Sequence, residues 1–232
     1  MMRTVRIGVV VAALLVGVCG CRKPGAPAPP STKVKIDGVA SEWGDAEPLW
    51  VESGLQGRGD FDGLDIKQAY FCSDAEYLYA FFCATPTVQE RFNERPQSGG
   101  FCDLYFDTDN DSATGCSDVI GFKYGKISGY EIKLSVQLGQ GLDLGSRQPF
   151  PFVVYTVQTF NGSGQSPPDG AQFTQDSHQE GALIAHGQDG IELAVPLKEL
   201  GLRGGISVRV LLCEQSHVFE KGGYSEGVLI LQ

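Results

Sequence analysis

Short runs of alternating hydrophobic and polar residues fill the chain from Lys33 to its end, and clusters of Gly, Asp, Asn and Pro separate them. Alternation with a period of two places every second side chain on one face of a sheet, so these runs predict half-buried β-strands. The clearest run is 130–136, where Tyr, Ile, Leu and Val alternate with Glu, Lys and Ser. Further strands are predicted at 66–72, 77–84, 101–106, 150–157, 191–195, 206–212 and 228–231.

The number and spacing of these strands predict an all-β fold, a β-sandwich of antiparallel strands. Residues 73–76 separate two aromatic-rich runs and predict a hairpin turn. A short helix is predicted near 196–201, where Pro196 opens a Leu-Lys-Glu-Leu turn that ends at Gly201. Residues 158–188 are polar and irregular, which predicts a long loop or insertion.

The first thirty residues carry a different pattern. Arg3 and Arg6 precede an apolar run at 7–18, which is too short to span a bilayer because spanning takes about 20 residues. The run fits the apolar region of a secretory signal. A cysteine that follows a small residue, Cys21 after Gly20, resembles the lipobox of bacterial lipoproteins and implies cleavage before Cys21 and diacylation of its thiol. An ordinary cleaved signal peptide is the alternative.

These features predict three segments: a lipoprotein signal peptide at 1–20, which we call the leader, a lipid-anchored Pro-rich tether at 21–32, and one domain at 33–232. Cys19 is a poorer lipidation site because Val18 stands where a small residue is wanted. Arg22 stands where the inner-membrane retention signal has Asp, which favours the outer membrane or the cell surface of a bacterial envelope.

Composition narrows the class of partner. Hydrophobic residues make up 42% of the chain, enough for a sizeable core. Removal of the leader takes away two arginines and no acid, so the formal charge goes from −10 to −12. An acidic surface repels nucleic-acid phosphates and anionic lipid, and it is compatible with neutral sugars and with cations such as calcium.

The sequence does not define disulfide pairs among the cysteines. Five remain beyond the leader and the anchor, and they are Cys72, Cys83, Cys102, Cys116 and Cys213. An exported domain favours disulfides, but an odd number leaves at least one thiol free or paired between chains. Cys102 and Cys116 flank an acidic loop and could staple it, and the connectivity stays open.

Five short motifs follow one another along nearly the whole domain: Ile36-Asp37-Gly38 with Glu42-Trp43; Asp74-Ala75-Glu76-Tyr77-Leu78-Tyr79; Asp103 through Asp111 with Thr114-Gly115; Gly129-Tyr130-Glu131; and Ile191-Glu192-Leu193-Ala194-Val195-Pro196 through Leu202. Their order resembles that of the family 9 carbohydrate-binding modules and the wider DOMON-like β-sandwich superfamily. The resemblance implies a sandwich that binds sugars, often with structural calcium.

An acidic loop follows the predicted strand 101–106. Asp107, Asp109 and Asp111 alternate there, and calcium takes six to eight oxygens at about 2.3–2.6 Å, several of which such a loop supplies. The expected ligands are these three residues and Asp118, with Asp103 as a further possibility. Ser112 stands where an EF-hand has Gly, so the loop is not an EF-hand. The alternative is a solvated turn rich in Asp and Asn.

A sugar platform is expected on the same strand, because Asp103, Tyr105 and Asp107 share one face while Cys102, Leu104 and Phe106 face the core. A tyrosine ring stacks on the C–H faces of a sugar, and carboxylates accept hydrogen bonds from its hydroxyls. Trp50 is a further candidate stacking ring. The alternatives are an ordinary solvent face and, for Trp50, a packed loop anchor.

The remaining motifs do not indicate an enzyme. Gly223-Tyr224-Ser225-Glu226-Gly227 matches a nucleophile elbow, but no Asp or His follows it to complete a triad. The predicted function is an envelope-anchored, non-catalytic carbohydrate-binding lipoprotein with calcium as the expected cofactor. The alternatives are an envelope structural or assembly protein that binds another protein, and a haem-binding carrier, which is disfavoured because the mature chain has no methionine.

Overall fold

The computed structural model of the protein describes residues 34–44, 46–51, 65–94, 99–119, 126–160, 173–214 and 224–232. The predicted signal peptide, the Cys21 anchor and the tether lie outside the described residues. No helix among the described residues is long and apolar enough to cross a membrane.

The described chain is built mainly of antiparallel strands, and their bounds are as follows: β1 Trp50–Val51, β2 Asp65–Ser73, β3 Tyr77–Thr85, β4 Gly99–Asp107, β5 Cys116–Val119, β6 Lys126–Tyr130, β7 Ile132–Leu142, β8 Pro149–Thr159, β9 Phe173–Asp176, β10 Ile184–His186, β11 Gly190–Pro196, β12 Ser207–Glu214 and β13 Tyr224–Ile230. One α-helix, α1, spans Val88–Glu94, and single 3₁₀ turns lie at Ala40–Trp43 and Leu197–Leu200.

Two sheets pack face to face, so the predicted β-sandwich is confirmed. The five-stranded sheet has the order β1-β2-β3-β11-β10, and the six-stranded sheet has the order β13-β12-β4-β7-β8-β9. A separate two-stranded ribbon pairs β5 with β6. All neighbouring strands in the two sheets are antiparallel.

The core lies between the sheets because alternate residues of each strand point inward. Phe82 on β3, Leu104 on β4, Leu134 on β7 and Leu193 on β11 all belong to this main core. The hydroxyl of Tyr155 on β8 crosses it and donates a 2.8 Å hydrogen bond to the carbonyl oxygen of Ala194. A buried hydroxyl needs such a partner, and this one joins the two sheets directly.

The outer face of the five-stranded sheet is also buried. The segment 34–44 lies across it, and the Trp43 ring packs on Phe81 at 6.0 Å and on Tyr70 at 6.1 Å between ring centroids. For this reason β11, predicted as half-buried, is buried on both faces.

Glu192 on β11 fixes this covering segment to the sheet. Its carboxylate is fully buried, and Oε2 accepts hydrogen bonds from the backbone N–H groups of Asp37 and Gly38, both at 3.0 Å. Its Oε1 accepts a 2.7 Å bond from Nε1 of Trp43. Burial raises the pKa of Glu192, and the three donors oppose that rise by favouring the charged form.

Most predicted strands are confirmed, with the β2–β3 hairpin in a register that pairs Ser73 with Leu78. The short helix predicted near 196–201 is present as the 3₁₀ turn Leu197–Leu200, and Gly201 after it has the left-handed conformation. Helix α1 was not predicted, although its capping box is visible in the sequence. Thr87 Oγ1 accepts from Glu90 N, and Glu90 Oε2 accepts from Thr87 N.

Two boundaries differ from the predictions. The strand expected over 130–136 is interrupted, because β6 ends at Tyr130 and β7 begins at Ile132, with Glu131 between them. The expected loop at 158–188 contains two short strands, β9 and β10, at the edges of the two sheets. Short edge strands have weak sequence patterns, since they supply few alternating positions. Residues 161–172 of this segment lie outside the described residues.

We expect Glu192→Gln to lower the free energy of unfolding by about 2 kcal/mol, because an amide N–H₂ then meets an N–H donor in a buried position. Trp43→Phe removes the indole donor and has a similar effect. The two changes disrupt one contact, so their combined effect falls short of their sum by about 1 kcal/mol in a double-mutant cycle measured by urea unfolding.

Glu199→Gln is the control, because Glu199 lies in the 3₁₀ turn that follows the same strand and its partner is the exposed Lys198. We expect that change to stay within about 0.5 kcal/mol. Additive effects of the Glu192 and Trp43 changes would contradict the role assigned to this hydrogen bond.

Candidate functional site

The outer face of the six-stranded sheet carries most of the residues singled out in the sequence. On β4, Asp103, Tyr105 and Asp107 point to this face, while Cys102, Leu104 and Phe106 lie in the main core. The predicted division of β4 into two faces is therefore correct. What differs is the environment of each outward side chain.

Tyr105 is not an exposed stacking ring. It is 3% exposed, and its ring lies against Tyr130 at 6.0 Å and stacks on Phe160 at 6.3 Å between ring centroids. The Nζ of Lys133 lies 5.5 Å from the centre of the same ring, in a cation–π contact. The expectation that Tyr105 forms a sugar platform is therefore wrong, because other parts of the chain cover its ring.

Asp103 is also committed within the protein. It is buried beside Tyr105, accepts a 2.6 Å hydrogen bond from Ser135 Oγ and forms a 3.0 Å ion pair with Lys133 Nζ. A buried carboxylate needs such neutralisation. Asp103 therefore does not lie on an exposed face as the sugar platform requires, and it is not among the carboxylates that meet at the end of β4.

Trp50 lies on β1, the edge strand of the five-stranded sheet, opposite Ala69. Its ring is half-buried and packs against the main core. This placement corresponds to the packed anchor rather than to an exposed stacking ring.

Three carboxylates meet at the end of β4. Asp107, Asp109 and Glu131 each offer one oxygen atom, and these atoms lie within 4.8 Å of one another. Glu131 N donates to Phe106 O at 3.0 Å, and Thr108 N donates to Glu131 Oε2 at 2.7 Å. These two bonds hold the junction between β6 and β7 beside the acidic loop. Carboxylate oxygens are the ligands of hard divalent cations, so the residues fit such an ion.

This set differs from the four residues expected from the sequence. Asp111 is exposed, and its Oδ1 accepts from Ala113 N at 2.9 Å and lies outside the cluster. Asp118 belongs to β5, and its side chain lies outside the described residues. Glu131 was missed because the alternation placed it on a solvent face, although Gly129 signals an interruption of the strand.

Asp107 is the buried member of the cluster. It is 0% exposed, and its Oδ2 lies 2.6 Å from Nη2 of Arg209 on β12. The Arg209 guanidinium in turn lies 5.2 Å from the centre of the Tyr130 ring. Apart from this ion pair, neither oxygen of Asp107 accepts a hydrogen bond from a described residue. Leaving a buried acceptor unpaired costs about 1–3 kcal/mol.

Thr114 closes the loop over the carboxylates. Its Oγ1 lies 3.1 and 2.9 Å from the two carboxylate oxygens of Asp109, 2.9 Å from the carbonyl oxygen of Asp111 and 3.2 Å from Glu131 Oε1. A hydroxyl carries one proton and satisfies one acceptor at a time. The loop therefore gathers more oxygen atoms than its protons can satisfy.

Two glycines with positive φ allow the loop to approach the β6–β7 junction. Gly115 has φ +65°, and a Cβ there would lie 2.6 Å from the backbone of Tyr130. Gly129 has φ +84°, and a Cβ there would lie 2.6 Å from Cα of Ser112. Only glycine meets both the conformation and the close approach at these two positions.

A strip of aromatic rings occupies the other end of this outer face, on the β7–β8 hairpin. The rings of Phe150 and Phe152 lie over Gly141 and Gly139 of the neighbouring strand, at 2.2 Å from where a Cβ would be. His178 stacks on Phe150 at 4.2 Å between ring centroids. Both phenylalanines are half-buried and His178 is exposed.

The described thiols and imidazoles lie outside the acidic cluster. The hairpin register pairs Cys72 with Tyr79 and Cys83 with Gln68, so the two cysteines do not face each other, and both are free thiols. Burial raises the pKa of Cys72 to about 12, which keeps it protonated near neutral pH. Burial lowers the pKa of His186.

No protein-family model, curated protein or solved structure matches the chain.

We expect Gly129→Ala to lower the free energy of unfolding by about 3 kcal/mol. The new Cβ would clash with the backbone of Ser112, and an alanine is also strained in the left-handed conformation. Gly205→Ala is the matched control, because Gly205 has φ +80° with open space around it. That change should cost only the conformational part, about 1–2 kcal/mol. Urea unfolding measures both, and equal losses would contradict the tight approach of loop and junction.

Proposed function

We propose that the protein is a non-catalytic binding domain that Cys21 tethers to the bacterial envelope and that binds a carbohydrate. The confirmed sandwich and the order of motifs that resembles the family 9 modules support the binding role. Fold alone does not determine function, so the proposal depends on a surface suited to the ligand.

The observation that carries the proposal is the aromatic strip of Phe150, Phe152 and His178. The rings lie across glycines, which have no side chain, and so present a flat apolar surface on which the C–H faces of a sugar can stack. Strand pairing places Gln137 and Asp176 on either side of Val154, which is two residues from Phe152 on the same face. An amide and a carboxylate beside the rings supply partners for sugar hydroxyls.

A protein partner is the second candidate, and the tip of the same hairpin favours it. Leu142 is 57% exposed and Leu144 is 89% exposed. Large apolar side chains that lie together on a surface are typical of contacts between proteins. A protein that binds there would lie beside the aromatic strip, so the two candidates share one end of the sheet.

The tether is tested by metabolic labelling with palmitate in a bacterial host. We expect Cys21→Ser to abolish incorporation of the label, because it removes the thiol that is acylated. Cys19→Ser is the matched control and should retain it, since that residue leaves with the signal peptide. Equal labelling of wild type and Cys21→Ser would contradict the anchor.

Carbohydrate binding is tested with the full mature chain against a panel of soluble polysaccharides, by affinity electrophoresis and calorimetry. For a polysaccharide that binds, we expect Phe152→Ala to weaken affinity about tenfold, because the stacking surface is lost. Val228→Ala is the control, since Val228 is 58% exposed on β13 at the far edge of the same sheet.

Thermal unfolding of both variants separates lost affinity from lost folding. No retention by any polysaccharide would contradict the carbohydrate ligand. If, in addition, the wild-type chain captured one envelope protein and Leu144→Asp abolished that capture, the second candidate would take its place.

A further inference from the structure

We propose that Asp107, Asp109 and Glu131 bind a hard divalent cation, calcium. The positive charge of Arg209, which is ion-paired with Asp107, lowers the affinity of this site for the cation. This inference does not depend on the identity of the ligand at the aromatic strip. It replaces the ligand set expected from the sequence with one that brings together two separate segments of the chain, the end of β4 with its loop and the β6–β7 junction.

The buried carboxylate of Asp107 carries the argument. An acidic cluster on a surface is common without an ion, but this member is wholly buried, and its Oδ1 has no hydrogen-bond donor among the described residues. Arg209 forms an ion pair with Oδ2 but donates no well-aligned hydrogen bond to it, so the carboxylate is neutralised on one side only and Oδ1 is the oxygen left for a cation. A cation beside it would offset the desolvation that the carboxylate bears, as buried charges require.

The balance of charge fits a divalent ion. Three carboxylates meet one guanidinium, which leaves a formal charge of −2 in the cluster. Arg209 neutralises only part of this charge, from the β12 side. A divalent cation on the loop side would neutralise the remainder without displacing the ion pair.

The chemistry of the donors favours calcium. Besides the three carboxylates, the Thr114 hydroxyl and the Asp111 carbonyl oxygen lie 2.9 Å apart in the same loop. Calcium accepts such irregular sets of protein oxygens, whereas magnesium demands an octahedron and retains several waters. Zinc prefers nitrogen and sulfur ligands, and the cluster contains none among the described residues.

Hydrogen bonds within the chain hold the loop in place. Asp109 Oδ1 accepts from Asp111 N at 2.9 Å, and Glu131 Oε2 accepts from Thr108 N at 2.7 Å. The two glycines described above let the loop close on the junction. Less ordering is then needed on binding, which favours affinity. A bound ion would join the end of β4, the loop and the β6–β7 junction, so the folded state should gain stability with calcium.

The experiment uses the full mature chain and terbium as a luminescent substitute for calcium. Tyr130 precedes Glu131 and can sensitise a bound lanthanide. We expect terbium luminescence that calcium displaces, together with a rise in the unfolding temperature in millimolar calcium that EDTA reverses. Magnesium at the same concentration should have a smaller effect.

Variants identify the ligands. Glu131→Gln and Asp109→Asn should each weaken calcium binding at least tenfold, while Asp111→Asn, on the same loop but outside the cluster, should change it less than threefold. Arg209→Gln should strengthen binding, because the competing charge is removed. Circular dichroism checks that each variant is folded.

Three results would overturn the proposal. One is the absence of both terbium luminescence and a calcium shift in the folded wild-type chain. Another is a loss with Asp111→Asn as large as that with Glu131→Gln. The third is a magnesium response equal to that of calcium. None of these depends on polysaccharide binding, so failure here is distinct from failure of the proposed carbohydrate ligand.

Discussion

The buried carboxylate of Glu192 is the interaction on which the arrangement of the five-stranded sheet depends. A sheet that is apolar on both faces needs a cover on each, and the six-stranded sheet covers only the inner one. The segment 34–44 covers the outer face, and three donors converge on Glu192 to hold it there. One charged group within an apolar surface thereby gives this segment a single register, because any other position would leave the carboxylate unpaired.

Asp107 is a second buried carboxylate, but its partners differ from those of Glu192. Both carboxylates are buried on the outer face of a sheet, but Glu192 accepts three hydrogen bonds. Asp107 has an ion pair with Arg209, and neither of its oxygens accepts a hydrogen bond from a described residue. The charge of Glu192 is fully compensated by donors of the chain, and the residue stabilises the fold. The charge of Asp107 is only partly compensated, and for that reason we propose that Asp107 binds an ion.

The outer face of the six-stranded sheet is divided along its length. At one end Tyr105, Asp103 and Lys133 form a closed cluster beside the acidic loop. At the other end the β7–β8 hairpin presents half-buried rings and exposed leucines. The proposed cation and the proposed carbohydrate would therefore occupy opposite ends of one surface, where the ion contributes to stability and the rings contribute to recognition.

The sequence by itself determined the sandwich, most of the strands and the two faces of β4, because alternation is local and each strand records it in its own residues. It did not determine which outward residues meet solvent. Tyr105 and Asp103 alternate as exposed positions should, and only the tertiary structure places Tyr130, Phe160 and Lys133 over them. Likewise, Glu131 joins Asp107 across more than twenty residues through strand pairing, and no local spacing encodes that contact. Sequence patterns report the periodicity of one segment, whereas a site made by several segments depends on how they pack.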